Sequence, residues 1–133
     1  MVNEIKLSTK AKGQIAQLKV ELRAAQLDYS IARPSTDCLY DLIIDTGTIL
    51  LRSQIKYCDR RASNSYTNLE LRLDNKRSKR LYYESRHIDA ILVYVPKVDS
   101  ILFLSAEKFH KKKTVYINLR DQNSKFFWKN FKW

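Results

Sequence analysis

The sequence predicts a chain of the α/β (α+β) class, and three stretches carry that reading. Residues 8–27 place Ile15, Leu18, Leu22 and Ala25 at three- and four-residue spacing, as one face of a helix requires. Residues 40–57 hold two apolar runs joined by Thr46-Gly47-Thr48, the pattern of a β-hairpin. Residues 90–104 hold a β-branched run that stops at Pro96 and a second run after a short turn, which reads as another hairpin. With 133 residues, one domain with a real core is expected across residues 1–133. Residues 8–104 form its core and residues 105–133 a basic, aromatic extension.

Taken in order, Ser8 is the expected N-cap of the first helix, and its hydroxyl suits an exposed N–H of the first turn. Gln14, Gln17 and Glu21 lie on a face beside the apolar stripe. Asp28 to Arg33 reads as a short strand ended by Pro34. The hairpin follows, with Tyr40 to Asp45 as one strand and Ile49 to Tyr57 as the other. Asp59 to Ser65 is polar and reads as a loop. Tyr66 to Leu73 alternates, with Leu69, Leu71 and Leu73 on one face, and is a further strand. Asp74 to Ser85 reads as a surface loop or helix. Ser105 can cap a short helix through His110, and Thr114 to Leu119 is the last strand. The tail mixes Phe126, Phe127, Trp128, Phe131 and Trp133 with lysines, a composition that suits packing against the body or a second subunit.

Composition narrows the function classes. A formal net charge of +11 points to a polyanionic partner: DNA, RNA or an anionic membrane surface. The excess is uneven, since residues 1–57 carry eight basic and six acidic side chains and residues 58–133 seventeen and eight. No apolar run reaches the roughly eighteen residues a membrane span needs. The first residues lack the apolar centre of a signal peptide. Cys38 and Cys58 show no metal-ligand spacing, and reduced thiols in a cytoplasmic protein are expected. Two glycines exclude phosphate-binding glycine loops.

Within the hairpin, Leu50, Arg52, Gln54 and Lys56 share one strand face, because side chains alternate with period two. An acid at Asp41, an amide at Gln54 and a lysine at Lys56 can converge beside the sheet. Phosphodiester hydrolysis needs charge stabilisation and an activated water, which a carboxylate-held metal ion beside a lysine supplies. Asp41 fits a first ligand and Gln54 an uncharged oxygen donor, while Lys56 can hold water or neutralise the phosphate. By spacing alone, ordinary exposed strand polarity is the favoured account of these residues.

Lys12-Gly13 ahead of a helix, Pro34, Tyr40-Asp41-Leu42-Ile43 and Gln54-Ile55-Lys56-Tyr57 together resemble the PD-(D/E)XK nuclease superfamily. Its group I intron-associated homing endonuclease branch, in which glutamine replaces the second acid, is the best match. Ile88 to Pro96 is similar to that branch's downstream core strand. The resemblance implies a restriction-endonuclease-like core, with a central mixed β-sheet flanked by helices, that cuts specific double-stranded DNA with Mg²⁺ or Mn²⁺. It also implies a homo-oligomer, dimer or tetramer. Carried over, Asp41 and Gln54 are the metal-binding positions and Lys56 is the catalytic lysine. The branch carries a glutamate on the first helix where this chain has Gln17, with Glu21 one turn later. Two other readings follow from the same fold: a junction-cutting nuclease resembling Holliday-junction resolvases, and a DNA-binding protein with weakened catalysis.

For grip on DNA, Lys76, Arg77, Lys79 and Arg80 and the run Lys111-Lys112-Lys113 are the densest basic clusters and suit binding to phosphates. Arg52, Arg60, Arg61 and Arg72 suit base reading, because a guanidinium can bond guanine in two places.

Overall fold

The computed structural model describes residues 5–63, 65–74 and 82–133. Its first element is helix α1, Thr9–Gln26, and the Ser8 side chain accepts a hydrogen bond from Ala11 N at 3.1 Å. Both ends lie within one residue of expectation, but the buried face does not match. Ala16, Val20 and Ala24 are fully buried, whereas Leu18 and Leu22 are 57% and 56% exposed and Ala25 faces outward. Of the predicted stripe, Ile15 does pack at the edge of the buried cluster, but Leu18, Leu22 and Ala25 give way to a row of smaller residues at four-residue spacing. Small side chains let the helix backbone approach the sheet closely, so size decided the seat where hydrophobicity pointed elsewhere.

Strands β1 (Ser30–Ala32), β2 (Leu42–Asp45) and β3 (Leu50–Tyr57) follow α1 and form one end of a five-stranded sheet. β4 (Asn68–Arg72) leaves that sheet, and the chain returns with β5 (Ala90–Val95) and β6 (Ser100–Ser105). The sheet order is β1-β2-β3-β5-β6, with β3 and β5 parallel and the other neighbours antiparallel, so the sheet is mixed. Every residue of β5 is buried, as a central strand covered on both faces requires. The β2–β3 turn depends on Gly47 at φ +91°, whose N–H donates to Asp45 Oδ1 at 2.8 Å. A short 3₁₀ turn, Pro96–Val98, joins β5 to β6.

The two sheet faces carry different layers. On one, Ala16 and Val20 of α1 pack against Leu42, Ile44, Ile55, Leu92, Tyr94 and Ile101. On the other, Ile91, Val93, Val95, Leu102 and Leu104 pack beneath Leu69, Leu71, Leu73, Val115 and Ile117, with Tyr83 and Phe109 filling the same layer. That second layer is a separate two-stranded sheet, in which β4 pairs antiparallel with β7 (Thr114–Asn118). A short helix α2, Ala106–Phe109, precedes β7, and Ser105 stands at its N-cap without a side-chain capping bond. The tail packs on the body: Phe126, Trp128 and Phe131 cover the second layer, and Trp133 N donates to Ile101 O at 2.9 Å. Among the described residues, no helix is long and apolar enough to cross a membrane.

Candidate active site

The site begins where β2 stops and β3 runs on. The ladder pairs Leu42 with Ser53, and one step further Asp41 falls level with Gln54. Asp41 N still donates to Ser53 O at 2.9 Å. Beyond that point β3 has no strand beside it on this side, and the Ile55 N–H would lack a carbonyl. Asp41 Oδ2 takes the carbonyl's place, accepting from Ile55 N at 2.9 Å. The carboxylate therefore rests on the backbone of β3 between Gln54 and Lys56. A buried strand N–H must find an acceptor, and that need fixes the acid.

Electrostatics at Asp41 are opposed. Burial raises its pKa above the ordinary carboxylate value, while the Ile55 N–H bond and the positive Lys56 pull it down. The Lys56 ammonium lies 5.4 Å from the centre of the Tyr83 ring, and Tyr83 is fully packed in the second layer. Gln54 is half-buried. Asp41 also lines a cleft of about 290 Å³ with Arg33, Pro34, Asp37, Cys38 and Tyr40 of the loop after β1.

The two α1 candidates stand beside the buried row. Gln17 follows Ala16 and Glu21 follows Val20, and both are half-buried. The Glu21 carboxylate pairs with the guanidinium of Arg33, which lines the Asp41 cleft. Glu21 thus reaches the rim of the cleft through a partner. Arg33 escaped the sequence reading as a site residue, because it has no spacing relation to Asp41, Gln54 or Lys56, whereas Tyr83, which the sequence offers beside Tyr82 first as a core residue, is buried in the core. The one visible signal was Arg33 standing before Pro34, at a strand end. A second cavity of about 330 Å³ lies on the α1 side, where Lys19, Tyr94 and Asp99 bond one another, and it shares no lining residue with the Asp41 cleft.

The arginines offered for DNA have separate surroundings. Arg52 Nε and Nη2 donate to Asp89 at 3.0 and 3.1 Å and Nη1 to Arg86 O at 3.0 Å, while Arg52 N donates to Asp89 Oδ2 at 2.8 Å. This side chain braces β3 against the loop before β5. Arg60 and Arg72 both pair with Glu70, and Arg61 lies 5.1 Å from the Tyr66 ring. Lys111, Lys112 and Lys113 are exposed at the entry to β7. Lys76, Arg77, Lys79 and Arg80 lie outside the described residues.

As donors for a metal ion, this edge offers the Asp41 carboxylate and the Gln54 amide oxygen. No group of three or more His, Cys, Asp or Glu side chains that could hold a metal ion occurs among the described residues. One carboxylate with a neutral oxygen fits a hard cation such as Mg²⁺ that keeps most of its waters, and fits poorly a soft ion that needs a closed nitrogen and sulfur cage.

The structure is thus a mixed sheet with α1 on one face, and Asp41, Gln54 and Lys56 stand in sequence register where β2 ends. The family model of the PD-(D/E)XK endonucleases matches residues 7–132, and the chain belongs to that family. The structure is similar to that of a bacterial homing endonuclease, I-Ssp6803I. Identity is 25%, the TM-score 0.72, and the match covers 96% of this chain and 88% of that one. It also shares its fold with Hjc, a Holliday junction resolvase of Archaeoglobus fulgidus, at 14% identity and TM-score 0.54, over 80% of this chain and 84% of that one. No curated protein sequence matches the chain.

Proposed function

We propose that the chain is a site-specific endonuclease of double-stranded DNA, of the homing type, that works with Mg²⁺ and accepts Mn²⁺. The observation that carries this reading is the Asp41 carboxylate seated on Ile55 N–H, between Gln54 and Lys56. Likeness to a bacterial homing endonuclease over nearly the whole chain supports it, as does a net charge of +11. Asp41 and Gln54 would hold the cation, which when bound supplies a water of lowered pKa and neutralises phosphoryl charge. Lys56 places positive charge where a phosphoryl oxygen gains negative charge. Ile55 N–H keeps Asp41 in position, and Gln17 adds a neutral amide on α1. The Arg33–Glu21 pair fixes the loop that forms the cleft wall. Cutting both strands calls for two copies of the site, so a dimer or tetramer belongs to the proposal. Residues 8–104 and the basic extension of 105–133 act as one domain, in the cytoplasm.

Incubation with duplex DNA from the chain's own genomic neighbourhood tests this. Cleavage at one position with Mg²⁺, and none with EDTA, is the expected result. A four-way junction cut in preference to every linear duplex would move the assignment to a junction-selective nuclease. One observation favours a second reading, a DNA-binding protein with weakened catalysis: Glu21 is held by Arg33 and Gln17 is neutral, which leaves Asp41 as the carboxylate of the site. Tight DNA binding without Mg²⁺- or Mn²⁺-dependent cleavage would establish that reading instead.

A further inference from the structure

We infer that the β4–β7 ribbon is the element that enters the DNA major groove and reads sequence; this rests on the chain acting on duplex DNA. The ribbon stands outside the central sheet, with Leu69, Leu71, Val115 and Ile117 buried beneath it. Alternation turns the other residues outward, so that Glu70 faces Tyr116, Arg72 faces Thr114 and Asn68 faces Asn118 across the ladder. Of these, Arg72 is the residue type that bonds guanine in two places, whereas the Asn118 amide is taken up by Asn68 Oδ1 and by the N–H groups of Arg120 and Asp121. Two strands about 4.8 Å apart fit a groove about 12 Å wide, and β-ribbons are among the elements that enter it.

The outer face is also organised. Glu70 pairs with Arg72 at 3.2 Å and with Arg60 at 3.4 Å, so one carboxylate holds two guanidinium groups and leaves surplus positive charge. Asn118 Nδ2 donates to Asn68 Oδ1 at 2.8 Å, and Tyr116 is 54% exposed. Tyr116 therefore stands beside arginines that Glu70 holds in place, on a face whose surplus positive charge suits a polyanion. Lys111 to Lys113 stand at one end, placed for phosphates flanking the groove. The ribbon lies on the sheet side of Lys56, whose ammonium sits over Tyr83 in the layer beneath it.

Glu70 acts as a positioning residue, holding both arginines in reading geometry. Its removal has a signature that simple loss of structure does not share. Glu70→Gln deletes a negative charge from the DNA-facing surface, so non-specific binding holds or tightens while sequence preference falls.

The test is selection from a randomised duplex library without divalent ions, using the full chain, an Arg60→Ala/Arg72→Ala double variant, the Arg60→Lys/Arg72→Lys pair and Glu70→Gln. The wild-type chain should enrich a defined sequence. The Ala double variant should bind that sequence about tenfold or more weakly, with a smaller reduction on the unselected library. The Lys pair keeps charge but lacks the planar fork, and should lose preference with non-specific binding intact. It serves where the Ala variant fails to fold. Wild-type preference retained by the Lys pair, or no enrichment by the wild-type chain, would overturn the proposal. Failure of the nuclease reading looks different: the enriched duplex would stay uncut with Mg²⁺ while the ribbon variants still lost preference.

Discussion

Asp41 is held above the ordinary carboxylate pKa by burial, against the pull of Ile55 N–H and Lys56. Since the folded pKa exceeds the unfolded one, the native chain keeps a proton that the unfolded chain has lost. Stability therefore falls as pH rises from the ordinary carboxylate value through the folded pKa. Asp41→Asn keeps an acceptor for Ile55 N–H and removes the charge, so its melting temperature should equal or exceed wild type at neutral pH. That advantage should vanish in acid, where wild-type Asp41 is protonated. Mg²⁺ should raise the melting temperature of the wild-type chain, more so as pH rises and protons cease to compete, and should not raise that of the variant. A second residue-scale expectation concerns the thiols. Burial pushes Cys58 up to about 12, whereas Cys38 is exposed at the cleft. A thiol reagent on the native chain should modify Cys38 quickly and spare Cys58 until the chain unfolds, which mass spectrometry reads directly.

At the scale of elements, α1 separates what the sequence could show from what it could not. Its cap and length were legible, because Ser8 and the apolar spacing are local signals. Its buried face was not, because Leu18 and Leu22 look more apolar than the Ala16, Val20, Ala24 row that carries the packing. Ala16→Leu or Ala24→Leu should cost about 1–3 kcal/mol by overfilling that seat, whereas Leu18→Lys should stay within about 0.5 kcal/mol; urea unfolding distinguishes them. The β2–β3 and β5–β6 hairpins were legible for the same local reason, with turn residues between apolar runs. The β4–β7 pairing was not, since Asn68 meets Asn118 across a long stretch of intervening sequence. Within the site, period-two alternation found Gln54 and Lys56 on one face. It could not show that Asp41 lies along the edge of β3 as a stand-in for a missing strand. Neither could it show the Arg33–Glu21 pair, which depends on how the loop after β1 folds back on α1.

For the molecule as a whole, charge and chemistry sit in different parts of the chain. Asp41, Gln54 and Lys56 fall in the nearly balanced first part, while residues 58–133 carry most of the net +11. Binding to DNA should therefore weaken steeply with salt, through release of condensed counterions. A Lys112→Ala/Lys113→Ala variant should lower the magnitude of the log–log salt slope by about one for each phosphate it no longer neutralises, with sequence preference unchanged. The Arg60 and Arg72 variants should do the reverse, losing preference while keeping most of the slope. The Asp41 edge and cation-dependent cutting stand or fall together, and one measurement addresses both. It is cleavage of duplex DNA from the chain's own genomic neighbourhood, with Mg²⁺ or EDTA, by the wild-type, Asp41→Asn and Lys56→Ala chains side by side. A single cut by the wild-type chain with Mg²⁺ is expected, and none with EDTA. Asp41→Asn should not cut, and Lys56→Ala should cut about a hundredfold or more slowly. Cleavage that persists in EDTA, or that Asp41→Asn performs at the wild-type rate, would contradict the assignment of this edge as the active site.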